Sequence, residues 1–430
     1  MKPTPPTVLA LIAISTLTAV SAQADEQSPR VPDYVVYRPT AVPDRIVLCW
    51  SGDPVTTQAV NWRTDASVLS GVGQLAPAGD GPGFVGTAQT FEATTVRLDT
   101  DLGPAHYHAV NFKDLAPDTT YAYRVGDGVN WSEWCQFRTA AREPRRFSFI
   151  YFGDAQNEIK SMWSRVVRTA YRDAPKAAFL LHAGDLVDAA NSDGQWGEWF
   201  YAGGFIHRST PCVATPGNHE YADGLSRHWR PVFSFPLNGP KGLEETVYYF
   251  DYQGARIVSL NSMEQQETQI RWLERVLSGN RPAWTILTFH YPIYSAAKDR
   301  DNPELRAAWQ PVFDGFKVDL VLQGHDHAYA RSGLMAHENV AEGVTKRSPG
   351  GTVYVVSVSG PKMYAVKEGT NMRRTAQGMQ LYQVITVDGD HLRYESRTAI
   401  GRLHDAFTLR KRPGQVNDLV ELPVDGTPGP

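Results

Sequence analysis

The chain has little cysteine, with three residues in 430. Three thiols can neither build a disulfide scaffold nor hold a metal cluster by thiolates alone. The chain also has no excess of basic residues, because 42 Lys and Arg stand against 46 Asp and Glu, a formal net charge of −4. A protein that binds nucleic acid without regard to sequence needs a basic face to neutralise phosphates. The composition therefore disfavours nucleic acid as a structural partner.

Long apolar runs are scarce, and the one near the N-terminus is short. Residues 1–24 read MKPTPPTVLALIAISTLTAVSAQA, with an apolar stretch from Val8 to Val20 and the small-x-small sequence Ala22-Gln23-Ala24 at the end. A bilayer span needs roughly 20 apolar residues. We therefore predict a signal peptide over 1–24, a secreted or periplasmic location, and no membrane contact after cleavage. An uncleaved anchor is the alternative.

Residues 31–140 consist of short alternating runs separated by turn signals, which predicts an N-terminal β-sandwich. Ile46 and Leu48 would face one way on a strand, and Val47 and Cys49 the other. A disulfide between Cys49 and Cys135 is an open alternative in an oxidising compartment, but the alternation argues against it. The turn and strand at 115–125 resemble a fibronectin type III module. Packing is a better expectation than ligand binding for this domain.

After a charged hinge at 141–146, strand-like runs alternate with helix-like runs, which predicts a layered α+β or α/β catalytic domain over 147–412. Residues 413–430 are expected to form a flexible tail. Five strand-like runs each lead into a polar cluster. The clusters hold Asp154 and Gln156; Asp185 and Asp188; Asn218 and His219; His290; and His325 and His327. Since ligands bind beyond the carboxyl ends of strands, we expect these clusters to meet in one crevice.

The residue types in these clusters indicate metal chemistry. Carboxylate, amide oxygen and imidazole suit hard to borderline divalent metals, and no thiolate is among them. The clusters supply more donors than one ion needs, so two ions sharing a carboxylate is the natural solution. A glycine precedes Asp154, Asp185, Asn218 and His325, and lets the chain turn sharply from strand to loop.

The order of these motifs resembles the calcineurin-like metallophosphoesterase superfamily. The segment Gly-His-Asp-His-Ala-Tyr-Ala-Arg at 324–331 and the preceding sandwich resemble its purple acid phosphatase branch. The resemblance implies two divalent ions, of Fe, Zn or Mn, bridged by Asp185. It assigns Asp154 and His327 to the first ion, Asn218, His290 and His325 to the second, and places His219 beside the leaving group.

Two positions depart from the family pattern. Asp188 stands where purple acid phosphatases carry a metal-binding tyrosine, so the protein should not be purple. We expect the Asp188 carboxylate to orient His219 and stabilise its imidazolium. Gln156 stands where generic members carry a histidine, and its carbonyl oxygen either binds a metal or accepts from metal-bound water.

The segment after His290 bears on the choice of substrate. The paired histidines of purple acid phosphatases are missing after Tyr291-Pro292, and Lys298 and Arg300 in the next loop either contact a second phosphate or are solvated. The resemblance implies hydrolysis of a small phosphate ester by metal-activated hydroxide, with His219 as proton donor. An acid-phosphatase-like phosphomonoesterase is the first prediction. A phosphodiesterase or nucleotide pyrophosphatase, and an inactive binding or adhesion protein, are the alternatives; pH optimum and oligomeric state stay open.

Overall fold

The computed structural model describes Met1 and residues 31–279, 282–336, 351–370, 372–412 and 415–424. The predicted signal peptide, apart from Met1, lies outside these ranges. Within them, no helix has both the length and the apolar character needed to cross a bilayer. The described chain folds as an N-terminal sandwich followed by a larger domain of two mixed sheets with helices.

Two four-stranded antiparallel sheets, in the orders β1-β2-β6-β5 and β4-β3-β7-β8, form the sandwich. The strands β1 to β8 are Asp44–Cys49, Gln58–Asp65, Val72–Pro77, Gln89–Glu92, Thr94–Thr100, Gly103–Phe112, Thr120–Gly126 and Cys135–Arg138. Ile46 and Leu48 lie in the core between the two sheets. Val47 and Cys49 are equally buried but pack into the core of the following domain. The predicted alternation is confirmed, and the outer face of β1 is a domain contact rather than a solvent face.

All three cysteines are free thiols. Cys49 lies in one sheet of the sandwich and Cys135 in the other. Cys49 faces the second domain, so the disulfide that the sequence left open is not formed.

The second domain contains two seven-stranded sheets, in the orders β11-β10-β9-β21-β22-β23-β24 and β14-β15-β16-β17-β19-β18-β20. Strands β9 to β16 are Phe147–Phe152, Leu180–His182, Cys212–Ala214, Tyr221–Ala222, Gly224–Leu225, Tyr248–Tyr252, Ala255–Ser259 and Trp284–Thr288. Strands β17 to β24 are Leu320–Gln323, Tyr329–Met335, Thr352–Val356, Arg374–Ala376, Leu381–Asp388, His391–Thr398, Leu403–Arg410 and Asp418–Glu421. Helices α1 to α7 are Asp33–Val36, Ser164–Asp173, Asp193–Gly203, Phe205–Ser209, Trp229–Val232, Gln266–Ser278 and Pro303–Gly315.

The five predicted strands that lead into polar clusters are all present, but they are divided between the two sheets. Strands β9, β10 and β11 run parallel in the first sheet, and β16 and β17 run parallel in the second. The two sheets meet at their cluster-bearing ends, where Asp154 forms a bridge with Val358. The clusters therefore converge between two sheets and not along the edge of one.

A buried ion cluster ties the sandwich to the second domain. Asp193, the first residue of α3, lies 2.6 Å from Arg45 Nη1 and 3.0 Å from Arg63 Nη1, and its Oδ1 is 3.2 Å from His228 Nε2. Burial raises the pKa of Asp193, but the hydrogen bond with His228 and the two guanidinium charges outweigh burial and hold it well below its usual range. An anion paired in this way fixes where the sandwich sits on α3.

The prediction of a flexible tail is wrong for part of 413–430. Strand β24 pairs antiparallel with β23 and completes the first sheet. Glu421 on this strand lies 2.7 Å from Arg331 Nη2, whose other partner is the buried Asp405. The prediction of a flexible tail rested on the many Pro and Gly residues of this segment. Those residues do not indicate that Glu421 serves as a second carboxylate partner for the buried guanidinium of Arg331.

A neutral histidine is built into the sandwich. The ring nitrogens of His108 lie 2.8 Å from the Thr64 hydroxyl and 2.9 Å from the Thr95 hydroxyl. Burial, followed by the neighbouring His106, lowers the pKa of His108 from 6.5 to about 4. The folded protein therefore holds fewer protons at this site than the unfolded chain between these two values.

We expect the stability contribution of neutral His108 to be complete above about pH 6.5 and to be lost as the pH falls toward 4. His108→Gln should remove this part of the pH dependence, because an amide satisfies both hydroxyls without titrating. The measurement is the free energy of urea unfolding at pH 7, 5.5 and 4.5. His391→Gln, at a half-exposed position, is the control and should keep the wild-type slope. An unchanged slope in His108→Gln would contradict the assignment.

Candidate metal centre

Two groups of three side chains lie at the ends of the converging strands and share one carboxylate. Asp154, Asp185 and His327 form one group, and Asp185, His290 and His325 form the other. In each group, one possible ligand atom per residue lies within 4.8 Å of the others. The structure thus brings five of the seven predicted ligands into two sites with Asp185 between them.

Asp185 follows β10 on a strained turn. Its φ is 52° and that of Gly184 is 89°, so both residues lie in the left-handed region that favours glycine. The Oδ2 atom of Asp185 is 3.1 Å from His290 Nε2, and Oδ1 accepts a 2.9 Å hydrogen bond from the His219 backbone N–H. The turn therefore aims the carboxylate toward the side chains of the other sheet.

Backbone carbonyls orient two of the imidazoles. His290 Nδ1 donates to Ala183 O at 2.8 Å, and His327 Nδ1 donates to Lys362 O at 3.1 Å. Because Nδ1 is used in these hydrogen bonds, Nε2 is the ring atom that can serve as a ligand. His290 Nε2 lies 3.1 Å from Asn218 Oδ1, which adds the predicted amide oxygen to the second group. This is the arrangement that fixes histidine tautomers around bound metals.

The protonation preferences of these residues fit a cation site. Burial raises the pKa of Asp154 to about 8 and that of Asp185 to about 6. Burial also lowers the pKa of His327 to about 3 and that of His325 well below its usual range, so both rings are neutral. Asp154 Oδ2 is buried without a hydrogen-bond partner among the described residues. A divalent ion would stabilise both carboxylates in their charged form and use the neutral imidazoles as ligands.

Gln156 is fully buried within the first group, but its amide nitrogen is the atom that faces the other ligands. Nε2 lies 3.0 Å from Asp185 Oδ2 and 3.0 Å from His327 Nε2. Oε1 has no hydrogen-bond partner in the described part of the chain. A metal-ligand role requires the amide to rotate by 180° so that Oε1 takes the place of Nε2. The orientation seen is that of a hydrogen-bond donor to the ligand atoms.

His219 lies beside the second group and is oriented by Asp188, although not in the predicted way. Its Nδ1 donates to the backbone carbonyl of Asp188 at 2.6 Å, while the Asp188 carboxylate is 3.6 Å away. The prediction that the carboxylate orients the ring is wrong, because the carbonyl makes the hydrogen bond. Gln195 Oε1 accepts from the Asp188 N–H at 2.8 Å and holds this loop. The carboxylate stays at ion-pair distance, and Nε2 of His219 is left for a ligand.

Glu220 is the important residue that the sequence reading missed. Its carboxylate is fully buried and accepts hydrogen bonds from four backbone N–H groups on the two metal-facing loops. The donors are Asp185 at 2.8 Å, Leu186 at 2.8 Å, Val187 at 3.3 Å and Gly217 at 2.8 Å. The available signal was its place directly after Asn218 and His219 in the motif. Glu220 therefore fixes one loop against the other.

Glycine is required at position 217 because there is no room for a Cβ atom, and not because of its φ angle. A Cβ atom at this position would lie 2.1 Å from Asp185 Oδ1. Among the four glycines named from the sequence, only Gly184 has a positive φ. The expectation of a conformational role is thus confirmed for Gly184, while Gly153, Gly217 and Gly324 are required by close approach.

Two other histidines of this domain pack in the core. His182 stacks on Phe152 with ring centroids 5.3 Å apart, and His207 stacks on Trp199 at 4.0 Å. Neither belongs to the two candidate metal groups.

Comparison with known families gives two matches along the chain. Residues 43–139 match the model of the purple acid phosphatase N-terminal domain, and residues 148–329 match that of the calcineurin-like phosphoesterases. The second match contains every predicted site residue. Both matches agree with the resemblance inferred from the motifs.

Individual relatives are distant. An uncharacterized protein of Mycobacterium tuberculosis is 28% identical over 321 residues, 64% of this chain and 60% of its own length. Acid phosphatase type 7 of Danio rerio is 27% identical over 71% of this chain and 78% of its own. A purple acid phosphatase from yellow lupin seeds superposes with a TM-score of 0.72 at 20% identity, covering 86% of this chain and 74% of the other. The match spans about 60% of the length of the mycobacterial protein, and the lupin structure supports the fold.

We expect Glu220→Gln to destabilise the metal-free protein by about 1–3 kcal/mol, because its amide N–H₂ faces backbone donors and leaves at least one of them unpaired. Loosening the loops should also weaken metal uptake by about 10-fold to 100-fold. Chemical unfolding of the chelated protein and metal titration measure the two effects. Glu274→Gln on the exposed face of α6 is the matched control. Wild-type stability and metal affinity in Glu220→Gln would contradict this role.

Proposed function

We propose that this chain, which belongs to the purple acid phosphatase branch of the calcineurin-like phosphoesterases, is a dimetal phosphomonoesterase acting on small phosphate esters. The observation that carries the proposal is the pair of buried ligand groups sharing Asp185. Two ions held by these residues would supply Lewis acidity for the hydrolysis of a phosphate ester by water. No nucleophilic side chain is needed for such a reaction.

The donor set supports two divalent ions. Asp154, Asp185 and His327 would hold one, and Asn218, His290 and His325 would hold the other together with Asp185. The oxygen and imidazole donors suit Fe, Zn or Mn. Aspartate at position 188 offers no phenolate, so we expect a colourless protein.

His219 is the residue that we assign to proton transfer. The Asp188 carbonyl holds its Nδ1–H, so Nε2 is the atom that can deliver a proton to a departing alkoxide. Delivery of a proton from Nε2 requires the imidazolium form of the ring, and the Asp188 carboxylate lies 3.6 Å from Nδ1. The backbone bond from His219 N–H to Asp185 places the ring at the edge of the second ligand group.

The N-terminal sequence supports a secreted or periplasmic location for the mature chain. The buried Asp193 cluster supports packing as the role of the sandwich, because it joins the sandwich to the helix after the Asp188 loop.

We expect the metal-reconstituted mature chain to hydrolyse p-nitrophenyl phosphate faster than bis-p-nitrophenyl phosphate. Chelation should abolish turnover, and Asp185→Asn should lower kcat/KM by more than about 100-fold, because it removes the carboxylate shared by both sites. Steady-state kinetics with Fe, Zn and Mn measure these effects. Faster diester turnover would favour a phosphodiesterase or nucleotide pyrophosphatase. Stoichiometric metal uptake without turnover would favour an inactive binding protein.

We expect His219→Ala to affect substrates according to their leaving group. An alkyl phosphate needs a proton on the departing oxygen and should lose about 10²–10⁴ in kcat. p-Nitrophenyl phosphate releases a stable phenolate and should lose much less. The measurement is kcat for both substrates at equal metal content. His404→Gln is the control; His182→Ala would not serve, because it removes packing in the aromatic core. An equal loss of kcat on both substrates in His219→Ala would overturn the proton-donor assignment.

A further inference from the structure

We propose that Arg300 and Lys362 form a cation pair that binds the dianionic phosphoryl group of a phosphomonoester at the rim of the metal centre. This inference rests on the proposed function and names the residues that select the monoester. It concerns the loop after Tyr291-Pro292, where the sequence lacks the paired histidines of its family, and the neighbouring loop that carries Lys362.

Arg300 is not a solvated loop residue. One of its Nη atoms contacts His325 Nε2 and lies 3.2 Å from the His325 carbonyl. Its Nε lies 3.5 Å from Oδ1 of the buried Asp326, and its guanidinium carbon is 4.9 Å from the centre of the Tyr364 ring. Its side chain is 27% exposed. Arg300 therefore reaches the ligand group from a position fixed by a carboxylate and an aromatic ring.

Lys362 approaches from a second loop. Its carbonyl accepts the hydrogen bond that orients His327, so its backbone adjoins the first ligand group. Its ammonium lies 5.8 Å from the centre of the Tyr364 ring, the same ring that Arg300 contacts. Lys362 therefore places a second cation beside the ring that Arg300 contacts.

The fold brings the two cations together by tying their loops. Ala297 forms an antiparallel bridge with Val366, and Lys367 N–H donates to Ala296 O at 2.8 Å. Ser295, at the start of the first loop, donates to Asp326 at 2.5 Å. The two loops therefore form one wall beside His325 and His327, with the charged ends of Arg300 and Lys362 around Tyr364.

The tautomer of His325 determines whether the guanidinium of Arg300 is available to bind a ligand. In the structure a guanidinium N–H meets His325 Nε2, which must then carry the lone pair. The other nitrogen, Nδ1, faces His290 Nε2 at 3.2 Å. When His325 uses the Nδ1 lone pair as a ligand, its proton lies on Nε2 and the ring no longer accepts from Arg300. The guanidinium is then available to an anionic oxygen.

The charge of the pair matches a monoester better than a diester. A phosphomonoester dianion presents three non-bridging oxygens, and a planar guanidinium can bind two oxygens of one phosphate at once. A diester carries one negative charge and two such oxygens. Two cations at the rim therefore stabilise the bound monoester more than the bound diester.

The test is the binding of inorganic phosphate to the full mature chain loaded with metal, measured by calorimetry at equal metal content. Arg300→Gln and Lys362→Met should each weaken phosphate binding by about 10-fold to 100-fold, the loss of one charge-assisted hydrogen bond. Arg300→Lys should recover part of the loss. Lys298→Gln, an exposed position of the same loop, is the matched control and should bind phosphate like the wild type.

A kinetic measurement distinguishes a failure of this inference from a failure of the proposed function. In Arg300→Gln, kcat/KM should fall more for p-nitrophenyl phosphate than for bis-p-nitrophenyl phosphate. If the wild type turns over monoester but Arg300→Gln and Lys362→Met bind phosphate within twofold of it, the inference fails and the function stands. If the wild type turns over neither ester and both variants lose phosphate binding, the pair is an anion site and the proposed function fails. Lys362→Met leaves the backbone contact to His327 intact and tests the pair even where Arg300→Gln alters the loop.

Discussion

Four backbone N–H groups from two loops converge on the buried carboxylate of Glu220, and the geometry of the centre depends on this convergence. One loop carries Asp185 and the other carries Asn218 and His219. Loops after parallel strands have no hydrogen-bond ladder to hold them, so their donors need another acceptor. A single anion fills that need for both loops and places Gly217 against Asp185 with no room for a Cβ atom.

The rest of the centre follows from the cost of burying charge. Asp154, Asp185 and Glu220 are all buried, and burial raises the pKa of each. Backbone donors offset this cost at Glu220, whereas Asp154 keeps an oxygen without a hydrogen-bond partner among the described residues. Burial lowers the pKa of His325 and His327, so these rings are neutral and present lone pairs. Buried oxygens and neutral imidazoles around one point are the environment that a divalent cation stabilises.

Cations outside the ligand groups have two different roles. Arg45 and Arg63 both bind Asp193, with Asp44 as a second carboxylate partner of Arg63, and they hold the sandwich to α3. Arg331 is likewise enclosed by Asp405 and Glu421 and holds the last strand in the sheet. Arg300 and Lys362 share an aromatic ring at the rim instead, which leaves them facing the place where an anionic substrate would lie. The difference is geometric: Arg45, Arg63 and Arg331 meet carboxylates through their Nη atoms, whereas Arg300 meets Asp326 through Nε and has an Nη atom against His325.

The sequence by itself determined the five strands and the order of the ligands, because each ligand lies within a few residues of a strand end and chain connectivity carries it there. The shared position of Asp185 was implied by the resemblance to the family. The tertiary structure decided the features that depend on contacts between distant segments. The division of the strands between two sheets, the carbonyl of Asp188 as the partner of His219 and the amide orientation of Gln156 are of this kind. So are the pairing of β24 with β23 and the position of Arg300 against His325, 25 residues further along the chain. Local sequence patterns indicate which side chains lie near the end of a strand. Burial and packing between distant segments decide which hydrogen bonds and ion pairs those side chains form.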